Sequence, residues 1–350
     1  MAARERTPAR AVAVVVGVTV VSSAVLELLA VPSAVLFGAV LGGMAHALTS
    51  PTPLAVPGWA FRAAQGLVGI TVGALVDLTT LKRMASDSAS ILLVVLATMA
   101  LSVVAGRVLA VRRDVSVTTG VFALIAGGAS GVVAVARDLG ADDRVVTVVQ
   151  YLRVLVVLLA MPLVTAVVFH PPHGRGALAL GDTSSARDLV FVAVSLAVGL
   201  LVARLVPVTT MSLIGPLVVS GALAASGWLG DVAVPTWVQW VAFALIGVQV
   251  GLRFTRASLV AIGRMLPVVL VIVVVMIAAT AGLGALLAWL TPVDALTAYL
   301  ATTPGGLFAV LATAADAGSD VTYVMAVQLL RLLLILSALP LLARWLRRDG

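Results

Sequence analysis

The chain has 350 residues, of which 62% are hydrophobic and 11% charged, and its mean hydropathy is +1.19. Soluble domains carry about 25% charged residues, so a water-soluble globule is excluded and the composition is that of an integral membrane protein. The lack of cysteine excludes a disulfide framework, a thiolate metal site and a cysteine nucleophile. The net charge of +7 comes from arginines scattered thinly between apolar runs, with Lys82 the sole lysine. Such residues mark membrane topology, and no segment is long enough to form the basic face that nucleic acid requires.

Taken in order, the apolar runs predict helices near residues 11–30, 33–48, 57–77, 89–111, 117–138 and 144–168, and again near 189–206, 210–227, 235–252, 262–290, 295–315 and 321–343. Period-2 alternation is absent, and long Ala/Leu/Val runs in lipid read as helices because a helix satisfies its own backbone. The first run follows Arg4, Arg6 and Arg10, the layout of a secretory signal. At about 20 residues it is long enough to span a ~30 Å core, and it has a counterpart at Leu189–Val206, so it reads as a retained helix.

The chain matches itself at an offset of 178 residues from Pro57 to about Leu163. Val56-Pro57-Gly58-Trp59 meets Val234-Pro235-Thr236-Trp237, Gly69 and Gly73 meet Gly247 and Gly251, and Gly127-Gly128 meets Gly305-Gly306. Gly140 then falls on Gly318, Asp142 on Asp320, and Gln150 and Arg153 on Gln328 and Arg331. The expected organisation is a first membrane repeat (1–169), a polar Pro- and Gly-containing linker (170–188) and a second repeat (189–350).

One run in each half is interrupted, by Gly127-Gly128-Ala129-Ser130-Gly131 and by Thr303-Pro304-Gly305-Gly306. Broken backbone at membrane depth is tolerated only where it is buried in protein or lines a cavity. Each broken run either crosses as a discontinuous helix or turns back as a re-entrant hairpin. Leaving out Arg153 and Arg331, twelve crossings place 12 Lys/Arg on the side of the N-terminus and 8 opposite. Ten crossings place 16 on that side against 4, namely Lys82, Arg83, Arg175 and Arg187. The positive-inside rule prefers the second arrangement. The expected fold is therefore an all-α integral membrane protein with two inverted repeats, about 10 spanning helices and two Gly-broken segments. Both termini are expected to be cytoplasmic, in a bacterial inner membrane.

Arg153 and Arg331 each sit about ten residues into the last helix of a half, ~15 Å deep and so near the bilayer midplane. A charge there costs about 2.5–3.5 kcal/mol on insertion scales and marks a functional site unless it only caps carbonyls freed by the helix break. Gln150 and Gln328, three residues earlier, share the same helix face. The second arm of each broken run would begin near that depth with free N–H groups, which attract an anion. The substrate-binding candidates are accordingly Gln150, Arg153, Gln328, Arg331, Gly127, Gly128, Ser130, Thr302, Thr303, Gly305 and Gly306. The glycines have a plainer reading as close-packing positions. Asp142 and Asp320 suit helix caps, with ion coupling as the alternative.

Gly66, Gly69, Gly73, Gly247 and Gly251 form small-residue faces. Trp59, Trp237, Trp289 and Trp345 lie at segment ends, where indoles settle at the headgroups. Glu27 and His46 lie near helix ends. His170-Pro171-Pro172-His173 lacks company for a metal, Gly128-Ala129-Ser130-Gly131 lacks nucleophile-elbow spacing, and no Walker A loop occurs. No cofactor is expected.

The Val-Pro-x-Trp start of the Gly69/Gly73 and Gly247/Gly251 helices resembles the AbrB-type duplicated bacterial membrane proteins. So do Thr303-Pro304-Gly305-Gly306, Gly318-Ser319-Asp320 and Gln328-Leu329-Leu330-Arg331. Ala126, where the second half has Pro304, departs from the pattern. The resemblance implies a membrane protein linked to regulation of gene expression, an ammonia monooxygenase label, and a fold akin to cation/proton antiporters and anion transporters. Three scattered histidines without cysteine do not build a copper or iron site, so an enzyme is not expected. Two readings remain: a secondary transporter of a small polar or anionic solute, and a non-transporting membrane regulator. The expected partners are the lipid bilayer and a small solute, with a homo-oligomer left open.

Overall fold

A computed structural model describes residues 8–29, 31–50, 53–112, 115–125, 139–170, 185–205, 210–229, 232–256 and 265–346, with a few isolated positions between them. Among the described residues all regular structure is helical: α1 (Pro8–Leu28), α2 (Ala34–Thr49), α3 (Gly58–Ala74), α4 (Leu78–Ser86), α5 (Ser88–Leu109), α6 (Val117–Leu124) and α7 (Asp143–Val164), the last running into a short π-helical turn at Thr165–Phe169. Then come α8 (Ala186–Leu205), α9 (Met211–Ser226), α10 (Thr236–Gly251), α11 (Leu266–Leu290), α12 (Ala295–Thr302), α13 (Leu307–Asp316) and α14 (Val321–Leu346).

Six stretches, within α1, α5, α7 with its π turn, α8, α11 and α14, are long and apolar enough to cross a bilayer. What they expose supports that reading. Only 22% of the apolar window of α8 is buried inside the protein, and its exposed face carries Leu189, Val190, Leu201 and Leu205. A helix at a water boundary would be polar there. Trp59, Trp228 and Trp289, each more than 70% exposed, lie close to helix ends, the depth at which indoles prefer the headgroups. The helices α2, α3, α9 and α10 are equally apolar but only 16 or 17 residues long. At 1.5 Å per residue they reach ~25 Å, short of a ~30 Å core, so length alone does not establish the ten expected crossings.

The chain divides into two compact units, and each half of the sequence contributes to both. Unit 1 contains residues 1–77, 165–256 and 311–322. Its helices approach closely along glycine faces. A Cβ on Gly69 or Gly73 of α3 would collide with the Leu213 or Leu217 carbonyl of α9, and one on Gly247 or Gly251 of α10 with the Leu36 or Val40 carbonyl of α2. The sequence-predicted glycine faces thus do pack helix on helix. Gly66 packs likewise, toward Leu196 and Pro216.

Unit 2 contains residues 78–164, 257–310 and 323–350. Leu109, Phe122, Leu124, Val149, Val269, Val273 and Met276 form part of its core. Two local packings in it repeat at the 178-residue offset. A Cβ on Gly106 of α5 would run into Val121 and Gly120 of α6, and one on Gly284 of α11 would lie 3.0 Å from Tyr299 Cα and 3.1 Å from the Ala298 carbonyl of α12. Each short helix is thereby held by backbone contact along a longer one.

Candidate functional site

Two short helices of unit 2, α6 and α12, begin and end alike. Each has eight residues. The Ser116 side chain accepts from Thr119 N at 3.1 Å, and Asp294 Oδ1 accepts from Thr297 N at 2.9 Å, so each start is capped by a side chain on an otherwise orphan donor. Each helix then stops in extended backbone, Ile125 at φ −64, ψ 125 and Thr303 at φ −59, ψ 128. Pro304 lacks the N–H that would continue α12. Gly127, Gly128 and Ser130 lie outside the described residues, so the segment that follows Ile125 is left to the sequence.

A helix that stops inside the apolar layer leaves its last carbonyls without partners and with partial negative charge. Long helices α7 and α14 supply the answer from their eleventh residues, Arg153 and Arg331, ~15 Å along each axis. Gln150 Nε2 donates to the Phe122 carbonyl at 2.8 Å, and Arg153 Nη1 to the Leu124 carbonyl at 2.8 Å. Gln328 Nε2 donates to the Leu300, Ala301 and Thr303 carbonyls at 3.0, 3.2 and 3.1 Å. Arg331 Nη1 reaches the Thr303 carbonyl at 3.1 Å and that of Thr302 at 3.4 Å, and its Nη2 donates to Gln328 Oε1. All four side chains are buried, none more than 6% exposed. The structure thus gives both arginines the carbonyl-capping role that the sequence offered as the plainer reading.

Capping does not use the two arginines equally. Among the described residues Arg153 has one hydrogen bond, and its buried Nε has no partner. Neither guanidinium pairs with a carboxylate there. A buried unsatisfied donor costs about 1–3 kcal/mol, more when charged.

The remaining predicted residues fall around this pair. Thr302 Oγ1 is within 3.1 Å of the Thr280, Ala298 and Tyr299 carbonyls, and Thr303 Oγ1 donates to the Tyr299 carbonyl at 2.7 Å, so both hydroxyl hydrogens face inward to backbone. Gly305 and Gly306 are half-buried and lie against α7, where added Cβ atoms would stand 3.2 Å from Val157 Cγ1 and 3.9 Å from Val154 Cγ1 respectively. Asp142 is exposed and caps α7 through Oδ1, which accepts from Arg144 N at 3.0 Å and Val145 N at 3.2 Å. Asp320 directly precedes α14 and is half-buried. Gly140 and Gly318 take φ values of 73° and 70°, the left-handed conformation that glycine adopts without strain, which accounts physically for their recurrence.

Sequence reasoning missed Ser116 and Asp294. Their signal was present, since each is a capping residue placed directly before an apolar run. It also missed Asp316 of unit 1, whose Oδ2 accepts from the Ser33 backbone N–H. Unit 1 further holds a cavity of about 590 Å³ beside α1, α2 and α10. Its lining is aliphatic apart from a few groups such as Thr19, Ser23 and Glu27, the chemistry of an acyl chain rather than of a polar solute.

Fold and site together define a helical membrane protein with side-chain-capped helix breaks in its interior. The chain belongs to the AbrB family: the family model described as "Transition state regulatory protein AbrB" matches residues 35–347. It is 33% identical to "Putative regulator AbrB" of Escherichia coli (strain K12) over 327 residues, 90% of each chain. It is 25% identical to "Uncharacterized protein YhjN" of Bacillus subtilis (strain 168) over 297 residues, 79% of this chain and 76% of the other.

Proposed function

We propose that this protein is a secondary transporter of a small polar or anionic solute, working by alternating access around the Gln150/Arg153 and Gln328/Arg331 site. The observation that carries the reading is the pair of capped, interrupted helices in unit 2. Backbone breaks at membrane depth are characteristic of transporter binding sites built from internal repeats, and buried charge in a membrane marks a solute or ion pathway. In this reading the two sequence halves are inverted repeats with ten crossings, and both termini face the cytoplasm. The protein has no enzymatic activity and needs no cofactor.

Purified protein in liposomes is expected to give saturable flux of a small solute, which falls at least tenfold in Arg331→Lys and Arg153→Gln. A folded protein inert to a broad panel of organic acids, amines and inorganic ions overturns the reading. It would favour the second one, a membrane regulator of gene expression, which the name of the Escherichia coli relative supports. The inverted arrangement is tested by thiol labelling of Asp142→Cys and Asp320→Cys in this cysteine-free chain. Labelling from opposite sides is expected, and labelling from one side refutes it.

A further inference from the structure

We propose that Arg153 is the residue that binds the solute, that the solute is a small oxyanion of the carboxylate or phosphate type, and that Arg331 positions the site without contacting the ligand. The inference rests on the transporter reading for its location and deepens it by naming the chemistry and the contacting residue.

The two arginines differ in unused hydrogen-bonding capacity. Arg331 spends Nη1 on two carbonyls and Nη2 on Gln328, and Gln328 spends its amide on those of Leu300 and Ala301 and on that of Thr303 again. That end of the site is closed by the protein itself. Arg153 spends Nη1 on the Leu124 carbonyl and leaves Nε without a partner while only 5% exposed. Nε and Nη2 form one edge of the planar guanidinium, and two parallel N–H donors on such an edge match two oxygens of a carboxylate or phosphate.

Charge points the same way. Two guanidinium groups are buried in unit 2, and neither has a carboxylate partner among the described residues. Carbonyl dipoles answer part of that charge, and a bound anion answers the rest.

There is also room. Gly306 is half-buried, and a Cβ built on it meets nothing closer than Val154 Cγ1 at 3.9 Å. Val154 follows Arg153 directly, and Val157, one turn further on, flanks Gly305. Helix α13 starts at Leu307, so its N-terminus, where a helix dipole favours negative charge, lies beside the stretch of α7 that carries Arg153.

The full-length protein in detergent, titrated calorimetrically with sodium acetate and with inorganic phosphate, tests the proposal. Sodium chloride and ammonium chloride serve as controls. Saturable binding of acetate or phosphate, at least tenfold tighter than chloride, is expected, and whichever oxyanion binds tells carboxylate from phosphate chemistry. Arg153→Gln should lose at least tenfold in affinity while keeping its helical circular dichroism and elution volume. Arg153→Lys should lose part of it, because an ammonium cannot present two parallel donors. Arg107→Gln, which removes an exposed positive charge stacked on Trp345, should bind as the wild type does. Equal affinity in a folded Arg153→Gln, or no oxyanion binding by the wild type, overturns the proposal. Flux of a neutral or cationic solute without oxyanion binding sinks this inference and leaves the transporter standing. Oxyanion binding without flux of any solute does the reverse.

Discussion

At α12 the carbonyl end is closed by Gln328 and Arg331, which make five donor contacts to backbone carbonyls and bond each other. At α6 the equivalent Gln150 and Arg153 make one contact each among the described residues. The residue types, their three-residue spacing and their place along the long helix are the same, so sequence spacing does not set how many described carbonyls each pair meets. Where the chain turns through Thr303-Pro304, it brings several carbonyls within reach of one arginine. At the other end a guanidinium remains with hydrogen-bonding capacity to spare. One motif therefore caps two helix ends with different numbers of hydrogen bonds among the described residues.

The largest expected effect separates these roles by stability. Arg331→Ala strands the Thr302 and Thr303 carbonyls and should lose about 3 kcal/mol, whereas Arg153→Ala frees a single carbonyl and relieves repulsion from Arg331, so about 1 kcal/mol is expected. Melting of the detergent-solubilised variants measures both, and equal losses would erase the distinction. Next come the packing glycines. Gly106→Ala should cost about 2 kcal/mol and Gly284→Ala about 1 kcal/mol, because Gly106 lies closer to its neighbour's backbone. A reversed order in the same melts would show that α12 is the more tightly seated helix.

Glutamine truncation should follow the arginines on a smaller scale, with Gln328→Ala about 1 kcal/mol more destabilising than Gln150→Ala. Denaturant titration of both variants decides the order. The smallest contrast is at the helix starts. Ser116→Ala and Asp294→Ala should each lose about 1 kcal/mol, since both caps satisfy one equivalent N–H. A much larger loss for Asp294→Ala would mean that its charge does more than cap.

Much of this protein could be read before its structure. Composition alone excludes a soluble fold, because 62% hydrophobic residues exceed what a globule of this size hides from water. The positions of Gln150, Arg153, Gln328 and Arg331, with Thr303-Pro304-Gly305-Gly306 nearby, marked the site, since charge and helix-breaking residues rarely occur at membrane depth without a role. Capping by Asp142 and the glycine-lined helix contacts follow from equally local rules.

Tertiary structure decided what those rules leave open. Which carbonyl each donor meets depends on how the end of a short helix packs against a long helix distant in sequence. The hydroxyls of Thr302 and Thr303 turned inward to backbone for the same reason. So did the division into two units that each draw on both halves of the chain, which arises from close approach along glycine faces rather than from chain order. Sequence placed two arginines deep in long apolar helices; only the fold gave Arg331 three hydrogen bonds and left Arg153 with one bond and a buried Nε that has no partner among the described residues, because hydrogen bonding is settled by the geometry of neighbours that sequence spacing does not specify.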